Sequence, residues 1–159
     1  MRTLSLFIIC AGTAMTMRAG DPPEIFASAG AAKPYLDEPF KFAAGAGARF
    51  PFFDRLALRP EFLVANDRRF SHRFLLGSVT YDINDPRHAA VFYLIGGGGW
   101  VSVRDKAIPY SWGDGEFVGG AGFRFALGDR VTISTELRAG KSALPLATAQ
   151  IGFRLGKRR

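Results

Sequence analysis

Three groupings of residues in this chain are of types that do chemistry elsewhere. The first is Gly140-Lys141-Ser142, which has the ending of a phosphate-binding loop. Such a loop needs a glycine five places before Gly140 and a helix behind it, so that backbone amides can surround the phosphates. Thr135 holds that place, inside a strand-like run, so a nucleotide site is not expected. The glycine clusters "GAGAR" (45–49) and "GGAGF" (119–123) likewise open no helix, which a dinucleotide site requires. The second grouping is the pair of histidines, His72 and His88. They lie far apart with no cysteine nearby, so a metal centre is not expected. The third is a set of charges embedded in apolar runs: Arg59 with Glu61, Arg124, Glu136 with Arg138, and Arg154. Charges at such places belong either to a solvated face or to a paired polar interior.

Deciding between these needs the elements that carry the charges. After Gly20 the chain falls into eight short segments separated by turn signals: 24–33, 40–50, 56–65, 73–83, 89–103, 116–127, 130–139 and 146–155. None sustains a helical period, and 19 glycines among 159 residues disfavour long helices. Alternation is clear instead. Val131, Ile133, Thr135 and Leu137 take one face of the seventh segment; Thr132, Ser134, Glu136 and Arg138 take the other. In the third, Leu56, Leu58, Pro60, Phe62 and Val64 oppose Ala57, Arg59, Glu61, Leu63 and Ala65. The sixth and eighth place Arg124 and Arg154 opposite Phe123, Phe125, Ile151 and Phe153. The six embedded charges therefore share the non-apolar face.

The first 19 residues read as a secretory signal, with "MR", then an apolar stretch, then small residues before "DPPE". The cut is placed after Ala19, or earlier after Ala14. Cys10, the only cysteine, leaves with it, and Ile9 before it does not fit lipidation. The second domain, 20–159, has segments near the length of a tilted strand crossing a bilayer, about 9–11 residues. "GDR" (128–130) and "PFFDR" (51–55) are tight connections, whereas "NDRRFSH" (66–72) and "RDKAIPYSWGDG" (104–115) are longer. With the N-terminus in the periplasm, the short ones become inner turns and the longer ones outer loops. "NDPRHA" (84–89) is longer than an inner turn needs. The expected fold is all-β: an eight-stranded, antiparallel, up-and-down transmembrane β-barrel. A soluble secreted ligand-binding barrel is the alternative, and a continuous apolar outer belt would reject it. The formal charge of +7 is dispersed, apart from the tail "GKRR", so no nucleic-acid partner is expected.

"EFVGGAGFRFALGDRVTISTELRAG" (116–140), "VFYLIGGGGW" (91–100) and "FDRLALRPEF" (53–62) resemble the small outer-membrane β-barrel proteins, a porin-like family with eight strands. The resemblance implies that Glu136 lies inside the barrel with Arg138 and Arg124 as neighbours. It also implies a non-enzymatic outer-membrane protein with a structural, adhesive or envelope-protective role, a side-chain-filled interior and no cofactor. Its partners would be outer-membrane lipids and the barrel assembly machinery, and the protein would be a monomer. Such barrels usually end on an aromatic residue, whereas "RLGKRR" follows Phe153 here. Arg68, Arg69 and Arg73 fall in an expected outer loop, where arginine could contact lipopolysaccharide phosphates. A lipid A deacylase of similar shape is a second alternative. Such enzymes carry His-x-Ser and an acid, while Ser71-His72 has the reverse order and no histidine lies near Glu136 in sequence.

The run Gly96–Gly99 inside "VFYLIGGGGWVSV" is expected to lie within a strand. It would make interior room for Trp100, Arg124 or Glu136, and valine at Gly96 or Gly98 would disturb folding more than at Gly97 or Gly99.

Overall fold

A computed structural model describes residues 21–33, 39–108, 110–141 and 146–156. The first 20 residues, where a signal is expected, Ser142 of the Gly-Lys-Ser grouping and the last three residues lie outside the described residues. The alternating runs become eight strands: β1 (Glu24–Ala32), β2 (Lys41–Phe53), β3 (Leu56–Asn66), β4 (Phe70–Asp82), β5 (Ala90–Asp105), β6 (Tyr110–Leu127), β7 (Val131–Gly140) and β8 (Leu146–Arg154). Each pairs antiparallel with the next, and β1 pairs with β8 from Glu24↔Arg154 to Ala32↔Leu146, closing the barrel. Closure leaves no sheet edge, which a strand surrounded by lipid requires.

Period-two alternation assigns each face. In β7 and β8 every second residue is buried inside, and the residues between them are exposed. The inward set is the charged and small one expected from the sequence, including Arg59, Glu61, Arg124, Glu136, Arg138 and Arg154. The outward set is apolar: Leu58, Phe62, Leu75, Val79, Leu94, Phe123, Ile133, Leu137 and Ile151 are all exposed. Aromatic residues gather toward both rims of this wall. Phe50, Tyr81, Phe125 and Phe153 lie toward the end that holds the tight turns, and Phe42, Trp100 and Phe117 toward the other. A continuous apolar belt with aromatic margins is what a bilayer selects. It rejects the soluble-barrel alternative, because water would meet that whole belt.

Two connections differ from expectation. The connection between β3 and β4 is only 67–69, and that between β5 and β6 only 106–109. Residues read as loop, "FSH" and "YSWGDG", belong to the ladder, as the pairs Asn66↔Ser71 and Val103↔Trp112 show. Their polar and glycine-rich composition resembles a loop because strand beyond the bilayer needs no apolar outer face. Arg73 consequently lies on β4 and not in a loop. At the other rim "NDPRHA" does form the long turn between β4 and β5.

The glycine run also needs correction. Gly96–Gly99 lies in β5, paired with Gly99↔Leu76 through Gly96↔Val79 on β4. Gly97 and Gly99 share the inward parity of Val101, yet a Cβ on either would run into β4 backbone, the carbonyls of Gly77 and Leu75. A Cβ on Gly96 would meet open space. The expected order of tolerance is therefore reversed for Gly96, Gly97 and Gly99, whereas a Cβ on Gly98 would meet the Glu116 carbonyl of β6 at 2.8 Å and disturb folding as expected. Trp100 is 54% exposed on the outer wall and does not occupy the interior.

Candidate functional site

The interior has an ionic layer nearer the tight turns and a mainly apolar one nearer the loops. Nearest the tight turns, Asp82 accepts from Arg49 at 3.0 Å and Arg124 at 2.7 Å. Glu24 accepts from Thr132 at 2.6 Å. Arg154, also buried, faces Glu24 in register and reaches the Asp129 carbonyl at 3.4 Å. A step further in, Glu136 is the hub. It accepts from Arg59 at 2.5 Å, Tyr93 at 2.8 Å and Gln150 at 3.0 Å, and it pairs with Arg138. Arg138 also reaches Glu61 at 2.6 Å, and Arg59 lies 3.2 Å from Glu61. Two guanidiniums and two carboxylates thus form a neutral ring across the barrel. A buried carboxylate stays ionised only with such partners. The Arg59 guanidinium also lies 4.4 Å from the centre of the Phe26 ring.

Toward the opposite rim an apolar cluster dominates, with Glu116, His72, Lys41 and Asp105 buried around it. Leu63, Phe74, Leu76, Val101, Val103, Val118 and Leu146 pack into one cluster with Ala32, Ala43 and Ala65. The gap among Phe26, Arg59, Tyr93 and Arg124 holds about 10 Å³, barely the room of one water molecule. An ionic layer and an apolar layer therefore close the barrel in series.

At the loop rim, Lys41 binds Asp67 at 2.7 Å, and Lys106 donates to the Asp67 carbonyl at 2.6 Å. Partial burial opposes charge on Asp67, but Lys41 and the amides of Phe70 and Arg69 outweigh it and hold the carboxyl down to about 2. Arg69 is engaged with Asp105 at 3.3 Å and lies over Phe70.

Several sequence expectations meet here and others part. Glu136 and Arg138 are together inside, joined by Arg59 and Glu61. Arg124 is not a partner of Glu136; its place on β6 is nearer the turns, and it serves Asp82. Arg154 lies in the same turn-side layer, away from the ring. Arg49, Asp82, Tyr93 and Gln150 were not singled out from the sequence. Parity alone could have found Asp82, which shares a face with Ser78 and Thr80. His72 points inward between Phe70 and Phe74, while Ser71 lies on the outward parity of β4. The two side chains are on opposite sides of the wall. His88 stands at the far rim, its amide donating to the Asp85 carbonyl. Among the described residues no three metal-ligating side chains converge.

An apolar belt outside, ionic pairs inside and eight closed strands define a small β-barrel of the outer-membrane type. Solved structures agree on the architecture. Neisserial surface protein A superimposes with a TM-score of 0.69 at 14% identity, over 86% of this chain and 97% of that one. The N-terminal β-barrel domain of Pseudomonas aeruginosa OprF gives 0.66 at 12% identity, over 82% and 96%. Ail, the attachment invasion locus protein of Yersinia pestis, gives 0.51 at 14%, over 85% and 97%. No protein-family model and no curated protein matches the sequence.

Proposed function

We propose that the chain is a non-catalytic outer-membrane barrel that acts through its outer wall and loop rim, in a structural, adhesive or envelope-protective role. One observation carries this reading: the lumen is occupied by two successive layers of side chains. The gap beside the ionic ring holds about 10 Å³ and the larger recess, about 220 Å³, lies at the turn-side mouth by Arg49, Arg55 and Arg87, so the surfaces left to act are the two ends and the outer wall. The envelope supplies the partners, namely outer-membrane lipids including lipopolysaccharide, and the barrel assembly machinery during insertion. Arg68 and Arg69 on the 67–69 connection, with Arg73 just below, form the basic rim that lipid phosphates would meet. Ail, which shares the fold, has been solved with the heparin analogue sucrose octasulfate, a polyanion. The protein is read as a monomer after removal of residues 1–19.

Fractionation of expressing cells tests the reading. The protein should sediment with outer membranes and show a heat-dependent gel shift. Recovery as a soluble periplasmic protein would sink it. The adjacent pair Ser71 and His72, split between the two sides of the wall, speaks against the deacylase alternative. Mass spectrometry of lipid A exposed to the folded protein should show the acyl chains intact; loss of a chain would reinstate catalysis.

A further inference from the structure

The outer wall carries a polar patch directly above its apolar belt. On β4 and β5 the outward residues Leu75 and Trp100 are paired, and both are exposed. The next outward residues toward the loop rim are Arg73, opposite Ser102; beyond them Arg104 stands between Ser71 on β4 and Ser111 on β6. These five residues and Tyr110 line a depression of about 380 Å³. Strands β5 and β6, at 16 and 18 residues, are longer than a bilayer crossing requires. The patch therefore falls at headgroup height, one outward step of about 7 Å above Trp100.

Arg73 and Arg104 are diagonal neighbours, and neither has an ion pair or hydrogen bond among the described residues. Like charges side by side on a sheet are destabilising. Asp105, the nearest acid along β5, lies on the inward parity and is engaged by Arg69. Arg69 and Lys106 are likewise held by Asp105 and the Asp67 carbonyl. Unlike Lys41, Arg69 and Lys106, the outer-wall pair is left for something outside the chain, as is Arg68 on the connection above, which has no second guanidinium beside it on the wall.

We propose that Arg73 and Arg104 bind the phosphomonoester of an outer-leaflet glycolipid, whose acyl chains lie along the wall beneath at Leu75 and Trp100. A monoester carries close to two negative charges at neutral pH, matching two unpaired guanidiniums. Arginine binds its oxygens in bidentate fashion. Ser71, Ser102, Ser111 and Tyr110 add hydroxyls suited to a sugar. A soluble phosphate would use the arginines but leave the continuous apolar wall below unused, which favours a lipid. This deepens the envelope reading above and rests on it. It also moves the lipid contact from the loop arginines Arg68 and Arg69 to the strand pair Arg73 and Arg104.

The test uses the full chain folded into nanodiscs of a zwitterionic phospholipid doped with lipid A. The readout is lipid retained through detergent release, measured by native mass spectrometry. Lipid A should be retained about tenfold more than the same lipid treated with phosphatase, each charge-assisted bond being of that order. The variant Arg73→Gln/Arg104→Gln should lose that preference, while Arg68→Gln keeps it. Equal retention of phosphorylated and dephosphorylated lipid A, or of lipid A by wild type and the double variant, overturns the proposal. So does equal retention of phosphatidylglycerol, a monoanionic diester. Inositol hexakisphosphate binding to micelle-held protein as tightly as lipid A would assign the site to a soluble anion instead. Failure of every variant to enter nanodiscs or show a heat-dependent gel shift would refute the barrel reading itself, a separate outcome from losing lipid preference in a folded barrel.

Discussion

At the scale of single residues, Glu136 has the most at stake. Its carboxylate faces Arg59, Arg138, Tyr93 and Gln150 within a wall that admits almost no water. Glu136→Gln removes one negative charge and leaves two guanidiniums to share Glu61. Breaking a buried ion pair on one side costs about 3–5 kcal/mol. The urea midpoint of the micelle-folded protein should fall accordingly, while Tyr93→Phe, which removes one hydrogen bond to a charged group, should cost about 1.5–3 kcal/mol. An unchanged midpoint for Glu136→Gln would show that the ring is not a stabilising unit. Arg124 bonds Asp82, but its guanidinium also lies 5.6 Å from the ring of Tyr93, which donates to Glu136, so Arg124→Gln and Glu136→Gln should couple by at least about 0.5 kcal/mol; strict additivity would show that the turn-side layer and the Glu136 ring are independent. Asp67 gives a pH prediction at the rim. Its carboxyl is lowered from 3.8 to about 2 by Lys41 and two backbone amides against the opposing effect of burial. A carboxylate depressed in the folded state stabilises fully above its unfolded value and loses that contribution as pH falls through the folded one. The Lys41–Asp67 clip should therefore hold at pH 5 and open between about pH 4 and 2. Titration of the Asp67 carboxyl by NMR in micelles checks this, and a midpoint near 4 would contradict it.

At the scale of elements, alternation made most of the barrel legible. Polar and apolar residues exchange every second place in β3, β6, β7 and β8, and a sheet face can be read directly from that. The inward set Arg59, Glu61, Glu136 and Arg138 followed from parity. Which acid meets which arginine did not, because pairing across the lumen depends on strand stagger. Arg124 shares the right face with Glu136 but stands at another height, beside Asp82. Strand ends were illegible for a different reason. Outside the bilayer the wall needs no apolar face, so "YSWGDG" reads as loop while it continues the ladder to β5. Gly96–Gly99 carries no alternation at all, and only the approach of backbone, from β4 at Gly97 and Gly99 and from β6 at Gly98, distinguishes its members. Gly99→Val or Gly97→Val should abolish the heat-shifted folded band, since each Cβ meets β4 backbone. Gly96→Val should fold with stability within about 1 kcal/mol of wild type, because the Cβ enters open space and valine suits a strand. The opposite order would mean that β4 and β5 are staggered differently.

At the scale of the whole molecule, the two interior layers make different demands on one barrel. The ionic layer fixes how the strands meet, since each guanidinium must find its carboxylate. The apolar layer, with Glu116 and His72 buried beside it, adds a second packed stretch nearer the loops. Ions would need to pass both, and the gap beside the ionic ring holds about 10 Å³. The protein inserted in a planar bilayer should therefore show no unit conductance steps. Phe74 sits in the apolar layer and is buried by Leu63, Leu76, Val101 and their neighbours. Phe74→Ala should lower stability by about 3–5 kcal/mol through the cavity it leaves. It should not open a channel, because the ring of Arg59, Glu61, Glu136 and Arg138 still spans the lumen below it. Conductance and stability thus separate the two layers: a barrel weakened by Phe74→Ala yet electrically silent means that the ionic ring seals by itself. Steady openings in wild type would mean that the ring parts within the membrane, and openings only in Phe74→Ala would place the barrier in the apolar layer alone.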